Sequence, residues 1–326
     1  MKKTLIGLAV ASALAAPIAS VNAADFSGFA NVQFSGGTGN GATSVKNQFG
    51  ANGELDITHA AGDVTVRADI NLSLSTDAAN DSGSLEQALA VWKGLPGVTI
   101  IGGVFNDPIG QDAEDIIDQR FTSHSAVYNV LDQQTALSGN NVAGLAAAGM
   151  VGPATVTVAF LNDLHGFSER NSFALNINLS PSMIPGLDLE LGYATQQSYS
   201  ATNNPLSAGD IIDLNASYNI MSMADIGFDY LAPSDIVDSA YDIWVKAPVG
   251  MGVDVGLRYS AVSWSGPLAT VGDSNATSLY ASYAVASNLD VALEYKDNSA
   301  DVNATATTVS GIKDGQQAWL NITGTF

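Results

Sequence analysis

Apolar and polar residues alternate along most of this chain with a period of two. Over 253–261, Val253, Val255, Leu257, Tyr259 and Ala261 share one face, and Asp254, Gly256, Arg258 and Ser260 the other. The stretch 64–74 sets Val64, Val66, Ala68, Ile70, Leu72 and Leu74 against Thr65, Arg67, Asp69, Asn71 and Ser73. Leu187, Leu189, Leu191 and Tyr193 oppose Asp188, Glu190 and Gly192, and Leu289, Val291, Leu293 and Tyr295 oppose Asp290, Glu294 and Lys296. Successive strand residues point to opposite faces, so each stretch reads as a strand with one apolar and one wet face. About sixteen such segments are expected, near 25–35, 46–58, 63–74, 84–93, 98–106, 141–150, 154–162, 171–180, 187–196, 210–220, 224–232, 239–247, 252–262, 276–285, 288–297 and 316–326. Two of them, 84–93 and 141–150, alternate poorly. A short helix over 112–121 is the one helical expectation.

The connections sort by length. Short turns fall near 60–62, 94–97, 151–153, 180–186, 221–223, 248–251 and 286–288. Long polar stretches fall between them, at 36–45, 75–83, 107–140, 163–170, 197–209, 233–238, 263–275 and 298–315. A meander with short turns at one end and long loops at the other predicts an all-β fold: a single transmembrane antiparallel β-barrel with short periplasmic turns and long extracellular loops. Hydrocarbon tolerates no open sheet edge, so the last strand must pair with the first. That reading assigns 316–326 as the closing strand, with Ala318, Leu320 and Ile322 facing lipid and Phe326 in an aromatic girdle at the periplasmic interface. Tyr193, Tyr230, Tyr259 and Tyr295 are expected in such girdles as well.

The start of the chain is different. Lys2 and Lys3 precede an apolar run from Leu5 to Ala16, and Val21, Asn22 and Ala23 have the small-x-small pattern of a cleavage site. This predicts a secretory signal peptide over 1–23 and a barrel domain over 24–326. Removing the two lysines leaves nine basic against 32 acidic residues, a net charge of −23. Such a charge disfavours nucleic acid as a partner. With no cysteine, neither disulfides nor thiolate chemistry contribute. His59, His124 and His165 lack ligand spacing and no nucleophile elbow occurs, so neither metal, cofactor nor enzymatic chemistry is expected.

The leader, the following 24–37, the sixteen-segment meander and the terminal Phe326 together resemble Gram-negative outer-membrane porins. The likeness extends over the whole of 24–326. Gly324 departs from the larger residue often found there, and the proline-glutamate-phenylalanine-glycine-glycine motif of enterobacterial general porins is absent. The resemblance implies a homotrimer in lipid and lipopolysaccharide, recognition of Ala318, Leu320, Ile322 and Phe326 by the barrel-assembly machinery, and passage of small hydrophilic solutes and ions. It also implies that the third long loop, near 107–140, folds inward and narrows the pore.

That loop carries Asp107, Asp112, Glu114, Asp115 and Asp118 with one Arg120, the candidate constriction. Arg67, Asp69, Lys246, Arg258 and Lys296 fall at the polar parity of their strands, the candidate lumen wall, and the resemblance singles out Arg67 as facing the loop. Asp188, Glu190, Asp225, Asp229, Asp254, Asp290 and Glu294 share that parity, so acids outnumber bases and cation preference follows. A sugar-uptake channel would need an aromatic track, for which Trp92, Trp244 and Trp319 lie at or near polar parity. A secreted β-rich adhesin without a pore is the remaining alternative.

Overall fold

The computed structural model describes residues 24–38, 48–74, 82–110, 112–133, 137, 139–164, 170–195, 210–233, 236–301 and 303–326. The segment 1–23, His165 and much of the first, second, fourth and fifth long loops lie outside them.

Sixteen strands form a closed antiparallel barrel in which each pairs with its sequence neighbours. They are β1 (Asp25–Thr38), β2 (Gln48–Ala61), β3 (Val64–Leu74), β4 (Ser82–Leu95), β5 (Val98–Asn106), β6 (Asn141–Val151), β7 (Ala154–Asn162), β8 (Asn171–Leu179), β9 (Leu187–Ala194), β10 (Ile211–Ile220), β11 (Ala224–Ala232), β12 (Val237–Gly250), β13 (Val253–Trp264), β14 (Ser274–Ala286), β15 (Leu289–Ser299) and β16 (Gly315–Thr325). Closure is made by β1 and β16, with Phe29 opposite Thr325 and Phe34 opposite Leu320. Phe326 extends it, its N–H donating to the Gly28 carbonyl at 3.1 Å. Every strand then has two neighbours and no backbone edge is left to water or lipid.

The distribution of side chains is inverted relative to a water-soluble protein. Leu293 is 55% exposed on the outer face, and its neighbour Glu294 is 2% exposed on the inner one. Val66, Leu72, Leu191, Leu257, Leu279 and Ile322 are likewise exposed on the outside, and Asp213, Asn215, Asp229, Asp242 and Arg258 buried within. Only an apolar solvent would favour this outer face. Tyr193, Tyr259 and Tyr295 point out among these residues. The short turns include a two-residue hairpin at Met251 and Gly252, with φ of 53° and 77°. Two consecutive positive φ values match the right-handed twist of the flanking strands.

The helical expectation at 112–121 is not met. That segment makes one turn, where Gln119 N donates to the Asp115 carbonyl at 3.0 Å. The helices lie elsewhere: α1 (Ala126–Asp132) in the third long loop and α2 (Ala304–Ser310) in the loop before β16. Ser125 caps α1, its Oγ accepting from Tyr128 N at 3.0 Å, and Asn303 Oδ1 caps α2 through Thr305 N and Ala306 N. The two helices pack on one another, burying Val127, Val130 and Leu131 with Ala306, Val309 and Ile312.

The two poorly alternating strands have physical causes. In β4, Asp69 pairs with Gln87 but Ile70 with Leu85, so Glu86 is an extra residue at a β-bulge. Beyond it the parity reverses, and Trp92 lies on the outer face, not the inner one. In β6, both faces are apolar. Val142 and Ala146 point inward with Ile101, Phe105, Ala159 and Leu161, and they pack against Ile109 and α1 rather than water.

Candidate functional site

The third long loop, 107–140, runs inside the barrel. Its mouth is held by Asp107 N donating to the Asn140 carbonyl at 2.7 Å. The outgoing limb follows the wall of β8 to β10. There Asn176 Nδ2 donates to the Pro108 carbonyl at 2.6 Å and Gly110 N to Asp213 Oδ2 at 3.2 Å. Gly192 makes room for it, since a Cβ at that position would stand 2.6 Å from Ile109 Cγ2. Asp107 Oδ1 accepts from Ile109 N, and Asp112 Oδ2 from Ser125 N at 2.8 Å. These two carboxylates therefore hold the loop to itself, Asp112 by joining its two limbs.

The segment around Asp115 reaches the wall of β2 to β4. Carboxylate oxygens of Glu54 on β2, Glu86 on β4 and Asp115 lie within 4.8 Å of one another, as do those of Glu54, Asp56 and Asp69. Arg67 is on the same wall, its Nε 2.6 Å from Asp69 Oδ1 and its Nη2 3.3 Å from Asp56 Oδ1. Glu114 lies against Gly139, with no room for a Cβ between them. Burial and the nearby Glu86 carboxylate push Glu114 up to about 9 and Asp115 up to about 7. Burial raises Asp107 to about 7 against the Ile109 N–H, which pulls it down.

The returning limb is fixed to β12–β15. Arg120 lies over the Trp244 ring at 4.7 Å, and Phe121 meets Tyr280 edge-on at 5.4 Å. Lys246 Nζ contacts the Arg120 carbonyl at 3.4 Å. Glu294 accepts from Ser123 N and Oγ, and Arg258 Nη2 donates to the Ser123 carbonyl at 2.9 Å and to Glu294 Oε1 at 3.3 Å. Asp242 Oδ2 accepts from Val127 N at 3.0 Å, at the start of α1. Burial keeps His124 neutral over most of the pH range by lowering its pKa, and its ring stacks on Tyr128 at 3.9 Å.

The sequence-derived residues thus separate into groups. Asp115 and Glu114 come to the wall bearing Arg67 and Asp69, and Asp118 shares their turn through its N–H on the Asp115 carbonyl. Arg120, Lys246 and Arg258 lie on the opposite limb, where Arg258 and Lys296 point inward but are covered by the loop, at 2% and 3% exposed. Ala318, Leu320 and Ile322 share the outer face of β16. Sequence reasoning missed Glu54, Asp56 and Glu86. The inward parity of Glu54 and Asp56 was present in the alternation with Leu55 and Ile57, and the bulge hid Glu86.

No protein-family model and no curated protein sequence matches the chain. Solved structures do. Salmonella typhi OmpF, in a complex with daunomycin, superposes with a TM-score of 0.74 at 14% identity, over 93% of this chain and 97% of that one. The outer membrane channel DcaP of Acinetobacter baumannii gives 0.66 at 13% identity, over 93% and 97%. A mutant of Rhodopseudomonas blastica porin gives 0.62 at 13% identity, over 93% and 100%. With its closed sixteen-strand meander and inward third loop, the chain has the porin fold.

Proposed function

We propose that the protein is an outer-membrane porin, a water-filled channel for passive diffusion of small hydrophilic solutes and ions, with a preference for cations. The observation that carries this reading is the facing of acids across the lumen: Asp115 on the inward loop against Glu54 and Glu86 on the wall. Arg67, the base of that wall, is engaged by Asp56 and Asp69. Carboxylates on both sides of a narrow, low-dielectric passage attract cations and penalise anions. The proposal includes export through the 1–23 leader, barrel assembly guided by the β16 end, and a trimer embedded in lipid and lipopolysaccharide. A sugar track is less supported, since Trp92 points outward and Trp244 is covered by Arg120.

The test is the reversal potential of purified, folded protein in a planar bilayer across a potassium chloride gradient. A cation-selective sign that shrinks in Asp115→Asn is expected. An anion-selective sign would keep the pore and reject the charge argument. No conductance would favour the adhesin.

A further inference from the structure

Glu54, Glu86 and Asp115 come from three separate parts of the chain. Glu54 sits mid-strand in β2, Glu86 on the β-bulge of β4, and Asp115 on the inward loop. The bulge has a consequence for chemistry: it turns Glu86 and its neighbour Gln87 to the inside together. Glu86 is then fixed by two amides, Asn71 Nδ2 on Oε2 at 2.6 Å and Asn141 Nδ2 on Oε1 at 3.1 Å. Glu54 is 4% exposed, and its Oε2 accepts no hydrogen bond from any described residue. A buried carboxylate without a donor is costly unless something positive completes it. Among the described residues, none of the three carboxylates forms an ion pair. The adjoining group of Glu54, Asp56 and Asp69 differs, because Arg67 already serves two of its members.

Oxygens within 4.8 Å of one another suit a central ion at about 2.3–2.6 Å from each, the distance of calcium to carboxylate oxygen. The donor set is all oxygen, with no imidazole or thiolate, which selects hard cations over zinc or copper. Three carboxylates from mobile and fixed elements suit the irregular coordination of calcium better than the strict octahedron of magnesium.

We propose that Glu54, Glu86 and Asp115 form a calcium-binding site that ties the inward loop to the β2–β4 wall and, when filled, obstructs the monovalent-cation path. The obstruction rests on the channel reading above; the binding does not. With Asp115 on the loop and the other two ligands on the wall, one ion both neutralises the acids and bridges the gap.

The deciding experiment is calorimetric titration of calcium chloride into chelator-washed, detergent-folded protein, with bilayer currents measured in parallel. About one saturable site per chain is expected, with a dissociation constant of about 10⁻⁴ M. Asp115→Asn and Glu86→Gln should each weaken it at least about tenfold, and Asp238→Asn, at an exposed position on β12, should not. Asp115 lies in the loop, so its variant decides the matter even if Glu86→Gln does not fold. Absence of a saturable site, or unchanged affinity in Asp115→Asn, overturns the proposal. In bilayers, micromolar to millimolar calcium should reduce potassium current in the native protein and not in Asp115→Asn. Calcium binding without any conductance would leave the site standing and reject the channel. Conductance without calcium binding would do the reverse.

Discussion

The backbone N–H and hydroxyl of Ser123 both end on the carboxylate of Glu294, at 2.6 and 2.7 Å, across 171 residues of sequence. The same carboxylate is paired with Arg258, and both side chains are buried, at 0% and 2% exposure. This cluster fixes the returning limb of the inward loop to the wall.

Glu294→Gln removes the charge but keeps the shape, leaving the Arg258 guanidinium buried without its partner. Loss of one member of such a pair costs about 3–5 kcal/mol. Urea unfolding of the protein from lipid vesicles should register that loss, and single-channel records should become noisier as the loop loosens. Unchanged stability and quiet records would show that the other loop contacts suffice.

Gly192 gives the outgoing limb its seat. A valine there would drive its Cβ into Ile109, which stands 2.6 Å away, and overpacking of this kind costs about 1–3 kcal/mol. The loop, not the strand, should yield, because the strand is held by two ladders. Single-channel conductance of Gly192→Val should therefore rise above that of the native protein.

Protonation of the loop acids sets a pH window. Asp115 titrates at about 7 and Glu114 at about 9, both raised from the ordinary carboxyl range by burial. Cation selectivity should strengthen between pH 6 and 8 as Asp115 ionises, and Asp115→Asn should be flat there. The stability effect has the opposite sign. A carboxyl raised on folding binds its proton more tightly in the folded state, so stability declines as pH rises through 7 to 9. Both trends are read from one series, reversal potential and urea midpoint against pH.

Leu293 is at the middle of β15 on the outer face, two positions from Tyr295. Arginine at that position should cost about 2–4 kcal/mol in a bilayer if the outer face meets hydrocarbon at mid-plane. Refolding of Leu293→Arg into vesicles against native protein measures it. A cost near zero would mean that this surface faces water.

The strands were legible because one face meets a different medium from the other, and a period of two records that difference directly. β3, β9, β13 and β15 show it residue by residue. The failures come where that condition lapses. β6 borders no water on its inner side, because Val142 and Ala146 pack against the loop, so its pattern carries no contrast. β4 changes parity at Glu86, and a period cannot announce its own interruption. The acids of 112–121 suggested a helix, whereas Asp112 is spent on Ser125 N and the helix begins only after that cap. Composition identified the loop as acidic, but which acids meet the wall depends on contacts between residues about thirty to sixty positions apart, which no local pattern contains.

The pairing of Phe29 with Thr325 also sets a timetable. During synthesis β1 emerges first of the sixteen strands and β16 last, so the first strand must wait for the last before either has its full set of neighbours. Hairpins such as β13–β14 can form early, but the ring cannot be completed while any strand is still to be made, and long-range closure of this kind is slow. Until then the chain carries two open edges and an uncovered apolar surface. Its survival over that interval depends on whatever keeps unfinished chains apart.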